Sequence, residues 1–460
     1  MKKFTIIIFA FICIVSAKEK PNIILIMADD VSWEAFGSYG AEDYKTPVLD
    51  KMADEGVQFQ HCYSTPICTT SRVMIMTGQY NFRNYTHFGY LNPKDKTFGH
   101  LMQENGYKTA IAGKWQLNGL YNSLPGHDDK SRPHKAGFDE YCLWQLTQQK
   151  KSAGERFWSP MIEKNGEVIS KETNKNLFGP DLFVDFICDF IDKNQEQSFF
   201  VYYPMVLVHD PFIPSPDTVA SASRGHERNK EPKDMQAKKQ NFVAMVEYTD
   251  KLVGRIQTKL KSIGQLENTI IIFTADNGTH PKITSNWNGQ KVKGAKGSML
   301  DAGTHVPLIV SWPNKILKGI KTDALVDFTD FYPTLAAIVG ITLNNSDPID
   351  GVSFLPTLLG KERDDREFVL CHYQPYWNKK PGQFARTAKY KLYRDGRFYQ
   401  PAKVLLEKND LSKNINSEEM MTAYKKLKAF LATCPPAPEN KKEDRNAKNR
   451  PTFSNWTKLQ

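Results

Sequence analysis

Two apolar runs of strand length, each ending in oxygen-bearing side chains, constrain this 460-residue chain more than any other feature. Pro21-Asn22-Ile23-Ile24-Leu25-Ile26-Met27-Ala28 leads into Asp29-Asp30, and Thr269-Ile270-Ile271-Ile272-Phe273-Thr274-Ala275 leads into Asp276-Asn277-Gly278. A short run with no polar alternation reads as a strand covered on both faces, because a strand with one wet face would alternate. Ser198 to Val208 and Val306 to Trp312 are two further candidates. Phe242, Met245, Val246, Thr249, Leu252, Val253, Ile256 and Leu260 share one face of an amphipathic helix, which core packing explains.

Strand-like runs followed by helical patterns recur from Pro21 to about residue 340. They predict an α/β fold: a large, mostly parallel sheet sandwiched by helices. The stretches from about 120 to 180 and from 211 to 240 are polar and lack long periodic runs, so loops over a pocket are expected there. Past Asp350-Gly351 the pattern changes. Thr387 to Arg394 reads as a strand, Asp395-Gly396 as a two-residue hairpin turn and Arg397 to Gln400 as the return. Ser417 can cap a helix with Glu418 and Glu419 in its first turn, Lys425, Lys426 and Lys428 near its end, and an apolar face including Leu427 and Leu431. The expected organisation is a catalytic domain over 18–365 and a C-terminal subdomain over 366–460, a smaller antiparallel sheet plus one helix.

Lys2 and Lys3, the apolar run Phe4 to Val15, and Val15-Ser16-Ala17 form a signal peptide over 1–17. The apolar run is shorter than the roughly 20 residues of a membrane span. Export to the periplasm or secretion is therefore expected, with no membrane span. Loss of the two lysines lowers the formal charge from +10 to +8. Such a surface favours polyanionic partners, or is simply a solvated basic surface. No cluster of basic residues interleaved with aromatics argues for nucleic acid. The mature chain keeps Cys62, Cys68, Cys142, Cys188, Cys371 and Cys434, at no zinc-finger spacing. If Cys68 is converted, an odd number remains and at least one thiol is unpaired within the monomer.

Cys68-Thr69-Thr70-Ser71-Arg72 places a cysteine ahead of a Ser-Arg pair, where cysteine can become formylglycine. A buried packing cysteine is the bland alternative. Asp29, Asp30, Asp276 and Asn277 offer only oxygen ligands, which suits Ca²⁺ or Mg²⁺ rather than Zn²⁺, whereas singly each pair reads as a turn. Taken together, two apolar strands delivering oxygens at their carboxyl ends are best explained by one shared cation. Between the runs lie Gly113-Lys114-Trp115 and His209-Asp210-Pro211, and beyond them Lys296 in Gly294-Ala295-Lys296-Gly297.

With these segments in this order, the chain resembles a type I sulfatase of the alkaline phosphatase superfamily, most like bacterial carbohydrate and aryl sulfatases. Thr46-Pro47-Val48-Leu49-Asp50, Glu55-Gly56-Val57-Gln58-Phe59, Thr77-Gly78, Asp350-Gly351-Val352-Ser353 and Tyr390-Lys391-Leu392-Tyr393 extend the resemblance over nearly the whole mature chain. The resemblance implies that a formylglycine-generating enzyme converts Cys68, and that its hydrate attacks the sulfur of a sulfated glycan or other sulfate ester. It favours Ca²⁺ (Mg²⁺ being possible) held by Asp29, Asp30, Asp276, Asn277 and residue 68. Arg72, one turn after Cys68, would hold the hydrate and the metal-site carboxylates, Lys114 and Lys296 would clamp sulfate oxygens, and His209, with or without Lys296, would protonate the leaving oxygen.

Two departures from the family pattern stand out. Thr70 replaces a proline, and Gln116 replaces a histidine after Gly-Lys-Trp. Glutamine accepts no proton near neutral pH, so the base that would release sulfate is missing there. His305, His280 or a metal-bound water are candidates to replace it, and His305, like Gln116, is also a candidate substrate contact. Rival readings are a phosphonate or phosphate ester hydrolase with the same nucleophile, and a catalytically silent binder of sulfated glycan. Asn84-Tyr85-Thr86 and Asn455-Trp456-Thr457 match glycosylation acceptors.

Overall fold

In the computed structural model, residues 20–148, 153–219, 228–344, 347–362, 366–375, 377, 381–401 and 407–439 are described. The expected signal peptide and the acceptor at Asn455 lie outside them. The first apolar run forms β1 (Asn22–Ala28), and every residue of it is buried. In chain order there follow β2 (Val57–Tyr63), β3 (Lys108–Lys114), β4 (Glu140–Trp144), β5 (Ile162–Lys164), β6 (Glu167–Ile169), β7 (Phe199–Pro204) and β8 (Thr269–Ala275). A separate hairpin contains β9 (Thr284–Trp287) and β10 (Gln290–Lys293), and the large sheet resumes with β11 (His305–Ser311) and β12 (Ile320–Asp327).

The large sheet has the order β12-β2-β11-β8-β1-β7-β3-β4-β5-β6. Its centre, from β8 through β1, β7 and β3 to β4, is parallel throughout, whereas β11 runs antiparallel to both β2 and β8. Continuous burial of β1, β7 and β8 follows from helices on both faces, among them Gly179–Lys193 and Met235–Ser262. The second helix starts earlier than its apolar stripe, at an Asp234 cap whose carboxylate accepts from the Ala237 amide at 2.7 Å.

Two local expectations are corrected. The stretch 120–180 is not loop alone: it contains β4, β5 and β6, strands of three to five residues that are too short to show a period. The C-terminal turn is longer than two residues. Tyr393 N–H donates to the Arg397 carbonyl at 2.9 Å, so Arg394, Asp395 and Gly396 form a three-residue loop with Gly396 at φ +96°. That loop joins β15 (Lys391–Tyr393) to β16 (Phe398–Tyr399), which with β13 (Val369–Tyr373) and β14 (Gly382–Arg386) make a four-stranded antiparallel sheet. The helix Glu418–Thr433 is capped by Ser417 as expected and packs beside this sheet. The six cysteines among the described residues are free.

The small sheet buttresses the large one. Cys371, Tyr373, Phe384 and Tyr393 form a buried apolar cluster with Ile67, the residue that precedes Cys68. Alongside it, Arg366 lies in a fork on Asp330, with Nε 2.8 Å from both carboxylate oxygens and further bonds to the Tyr80 hydroxyl and the Asp350 carbonyl. Both side chains are buried. Removing one partner of such a pair leaves an uncompensated charge in the interior. Arg366→Met is expected to lower the unfolding free energy by about 3–5 kcal/mol, measured by urea denaturation, and a change below about 1 kcal/mol would show that the pair does not anchor this joint.

Candidate active site

Four neighbouring parallel strands deliver their carboxyl ends to one place, the edge at which open α/β sheets bind ligands. Ala28 pairs with Ala275 in register, and the Asp276 amide donates to the Ala28 carbonyl at 2.9 Å, so Asp29 and Asp276 emerge side by side. Along a strand, consecutive side chains point to opposite faces. Asp30 escapes that rule because its backbone turns left-handed, φ +62°, which sends its carboxylate into the same cluster as that of Asp29. At the end of β3, Gly113 has φ +116° and passes so near β7 that a Cβ would lie 2.1 Å from the Pro204 carbonyl oxygen. Only glycine allows this approach, and it brings Lys114 under Asp29.

Cys68 begins the helix Cys68–Thr77, with Ile67 extended before it. Arg72 therefore sits one turn on, facing the same way. Thr70 fits this helix entry: its hydroxyl donates to the Ile67 carbonyl at 3.0 Å. Arg72 donates to Asp276 Oδ2 through Nε at 3.1 Å and Nη2 at 3.0 Å, and to the Lys114 carbonyl through Nη1 at 3.0 Å. Lys114 Nζ lies 3.0 and 2.8 Å from the two oxygens of Asp29. Lys296 donates to Asp30 Oδ2 and lies 3.0 Å from His209 Nε2. Asn277 Nδ2 donates to Asp30 Oδ1 at 2.9 Å.

Asp29, Asp30 and Asp276 are fully buried, and their protonation is set by a contest. Burial pushes Asp29 up, but Lys114 leads the cations that hold it far below the usual carboxylate range. Burial likewise opposes Asp30, and His209 and Lys296 pull it down. At Asp276 burial and the charge of Asp29 outweigh Arg72 and raise it to about 7. Burial pulls Lys296 down, yet Asp30 holds it above the ordinary lysine value. Burial lowers His209 and pushes the Cys68 thiol up. Cys68 thus sits as a neutral thiol, 3.9 Å from Gln116 Oε1.

Cys68, Gln116, His209 and Lys296 line a cavity of about 410 Å³. Residues from the expected pocket loops complete it: Tyr121, Gln145 and Arg156, with Phe88, Trp144 and Trp377 as aromatic walls. Gln116 Nε2 donates to the Tyr121 hydroxyl at 2.5 Å and to Gln145 Oε1 at 3.0 Å. Arg156 Nη2 lies 2.8 Å from His209 Nδ1 and donates to the Asp210 carbonyl. Tyr121, Gln145 and Arg156 belong to no motif, and only the polar character of their stretch hinted at them.

His305 does not reach this cavity. It lies buried against Trp33, rings 4.3 Å apart, with Nε2 2.8 Å from the Gln60 carbonyl and Nδ1 3.2 Å from Asp301. His280 also stands off the cavity, packed edge-on to Phe212.

The donors fit a hard divalent cation. Among the described residues, ligand atoms of Asp29, Asp30 and His209 lie within 4.8 Å of one another, while Asp276 is taken up by Arg72 and the Asp30 amide. The buried Asn277 Oδ1 has no hydrogen-bond partner among the described residues, and such an acceptor calls for a donor or a cation.

Comparison with known proteins decides the family. The family model for sulfatases matches residues 21–341, well over half of the chain. The chain belongs to the sulfatase family. A second model, N-sulphoglucosamine sulphohydrolase, C-terminal, matches residues 294–432 and crosses the boundary expected at 365/366 of this sulfatase. Mouse arylsulfatase J is 26% identical over 386 residues, covering 80% of this chain. The sulfatase chain spans only 60% of the length of that relative. Human N-acetylgalactosamine-6-sulfatase is 28% identical over 382 residues, 76% of this chain and 68% of its own length. The solved structure of BT4656 in complex with its substrate D-glucosamine-2-N,6-O-disulfate shares the fold, with a TM-score of 0.72 over 90% of this chain and 97% of that one at 22% identity. No helix among the described residues is long and apolar enough to cross a membrane.

A cation held by these oxygens binds only the folded chain and must stabilise it by mass action. Adding Ca²⁺ is expected to raise Tm, by the equivalent of about 2.7 kcal/mol at a hundred times Kd, and Asn277→Ala is expected to shrink the rise. A Tm indifferent to both Ca²⁺ and Mg²⁺ would exclude such a site.

Proposed function

We propose that this chain is an exported sulfatase that hydrolyses sulfate esters on carbohydrate, with residue 68 as formylglycine and a divalent cation, Ca²⁺ by preference, held by Asp29, Asp30, Asp276 and Asn277. In this reading residues 1–17 direct export, 18–365 are the catalytic domain and 366–460 the C-terminal subdomain. The carrying observation is the convergence of Cys68, Lys114, His209 and Lys296 with three buried carboxylates at one sheet edge. The sulfated sugars in the names of its relatives support the substrate class.

When present, the modified residue supplies the attacking oxygen, and the cation lowers its pKa and offsets the charge of the sulfate. The chain's own residues do the remaining work. Lys114 and Lys296 carry the positive charge that sulfate oxygens need, on side chains largely removed from solvent. Arg72 keeps Asp276 in place and ties the start of its helix to the end of β3. His209 Nδ1 faces Asp210 Oδ1 at 2.8 Å, which fixes the ring and leaves Nε2 against the Lys296 ammonium at 3.0 Å. That pair holds the proton for the leaving oxygen. Arg72→Met or Lys114→Met would remove charge from the site and strand a buried carboxylate as well.

The decisive experiment combines mass and turnover. Protein made together with a formylglycine-generating enzyme is expected to yield a Cys68 peptide lighter than its thiol form, and to release sulfate from 4-nitrophenyl sulfate and sulfated oligosaccharides. Cys68→Ala is expected to abolish release. Full activity with an unmodified thiol would refute the reading. Faster cleavage of an aryl phosphonate monoester would establish the phosphonate rival, and tight glycan binding without release would establish a silent binder.

A further inference from the structure

Among the described residues, Arg156 is a buried cation without a carboxylate partner. It is 1% exposed, and no described carboxylate lies within ion-pair distance of it. Three other buried arginines are paired, Arg72 with Asp276, Arg366 with Asp330 and Arg386 with Asp301, while buried Arg132 donates to the Leu91 carbonyl and stands over the Tyr90 ring, away from the cavity. Arg156 instead contacts His209 Nδ1 and the Asp210 carbonyl, and its Nε has no hydrogen-bond partner among the described residues. A guanidinium taken out of water without a counter-charge carries a large desolvation cost unless an anion arrives to offset it.

The surroundings hold it ready for one. Its Cζ stands 4.6 Å over the Trp144 ring and 5.2 Å from that of Phe157, so the guanidinium plane is stacked rather than free. Arg156 lines the same cavity as Cys68, His209 and Lys296. It meets the Nδ1 edge of the His209 imidazole while Lys296 meets the Nε2 edge, so the two cations flank one ring. An oxyanion at Arg156 would therefore sit across the His209 ring from a sulfate held near Lys296. The rest of that wall, Gln116, Gln145 and Tyr121, is polar and uncharged and suits hydroxyl groups.

We propose that the cavity selects a ligand carrying a second oxyanion, a carboxylate or another sulfate, in addition to the sulfate ester that is cleaved, and that Arg156 is the residue that binds it. Arginine is suited to this because its donors form a planar fork that matches carboxylate and sulfate oxygens. The proposal rests on the sulfatase reading for the site of the first sulfate, but its binding test does not require turnover.

In the Cys68→Ala protein, calorimetry would compare N-acetylglucosamine 6-O-sulfate with glucosamine 2-N,6-O-disulfate and with a uronyl-N-acetylgalactosamine 6-sulfate disaccharide. The expected result is that at least one doubly anionic ligand binds about tenfold or more tighter than the singly charged sugar, the worth of a hydrogen bond to a charged group. Which of the two gains tells sulfate from carboxylate. Arg156→Gln should erase that advantage and Arg156→Lys should keep part of it. In the converted enzyme, Arg156→Gln should lower kcat/KM on the preferred sugar, chiefly through KM, about tenfold more than on 4-nitrophenyl sulfate. Equal affinity for all three ligands, an advantage that survives Arg156→Gln, or equal losses on both substrates would each overturn the assignment. Failure of the wild-type enzyme to release sulfate while the binding preference holds would count against the sulfatase reading alone.

Discussion

Three carboxylates buried at one sheet edge are the constraint on which the rest of this structure turns. Alone they would be forced to protonate, since neither burial nor mutual repulsion favours their charge. Lys114 and Lys296 hold Asp29 and Asp30 ionised and Arg72 pairs with Asp276, each reaching in from a different element, so the strands cannot shift relative to one another without exposing a charge to low dielectric. The balance is uneven. Asp276 shares its surroundings with Asp29 and stands raised to about 7 despite Arg72, and Asn277 Oδ1 has no donor among the described residues. Both features describe a site that gains by taking in one more positive charge.

The parallel core explains why these groups meet. Successive strands β8, β1, β7 and β3 point the same way, so the residue after each of them falls on one edge regardless of its distance in sequence. The helix at Cys68 does not follow one of these four strands. It follows β2, two strands from β8 across the antiparallel β11, and the small sheet holds its entry residue Ile67 from the other side. The C-terminal part of the chain is thus a structural support for the position of residue 68 as well as a cavity wall through Trp377.

What could be read from the sequence follows the same physics. β1 and β8 were legible because burial on both faces leaves an uninterrupted apolar run, and the Ser417 cap because its chemistry is local. The direction of β11 was not, since a buried strand looks alike in either sense. β4, β5 and β6 carry too few residues for a period to emerge. The motif residues Cys68, Arg72, Lys114, His209 and Lys296 meet in space as their order suggested, whereas His305 belongs to a packing cluster with Trp33 and Tyr63. Arg156 and Gln145 were beyond reach because nothing local marks an isolated arginine as buried, or a glutamine as left-handed at φ +61°.

Gln116 shows how such unmarked residues alter the chemistry available. Both hydrogens of its carboxamide are committed, one to Tyr121 and one to Gln145, so the oxygen must face Cys68. An amide oxygen in that place can accept a hydrogen bond and orient whatever residue 68 carries, but it cannot take a proton. Neither His305 nor His280 lines the cavity, and His209 does. Its ring is fixed by Asp210 on one edge and Lys296 on the other, and burial keeps it below its ordinary pKa, so the uncharged imidazole that can accept a proton is also the one beside the lysine that can supply one. On the proposed reading, acid and base work therefore fall to the same His209–Lys296 pair at successive steps, and the glutamine is a consequence of that arrangement rather than a lesion in it.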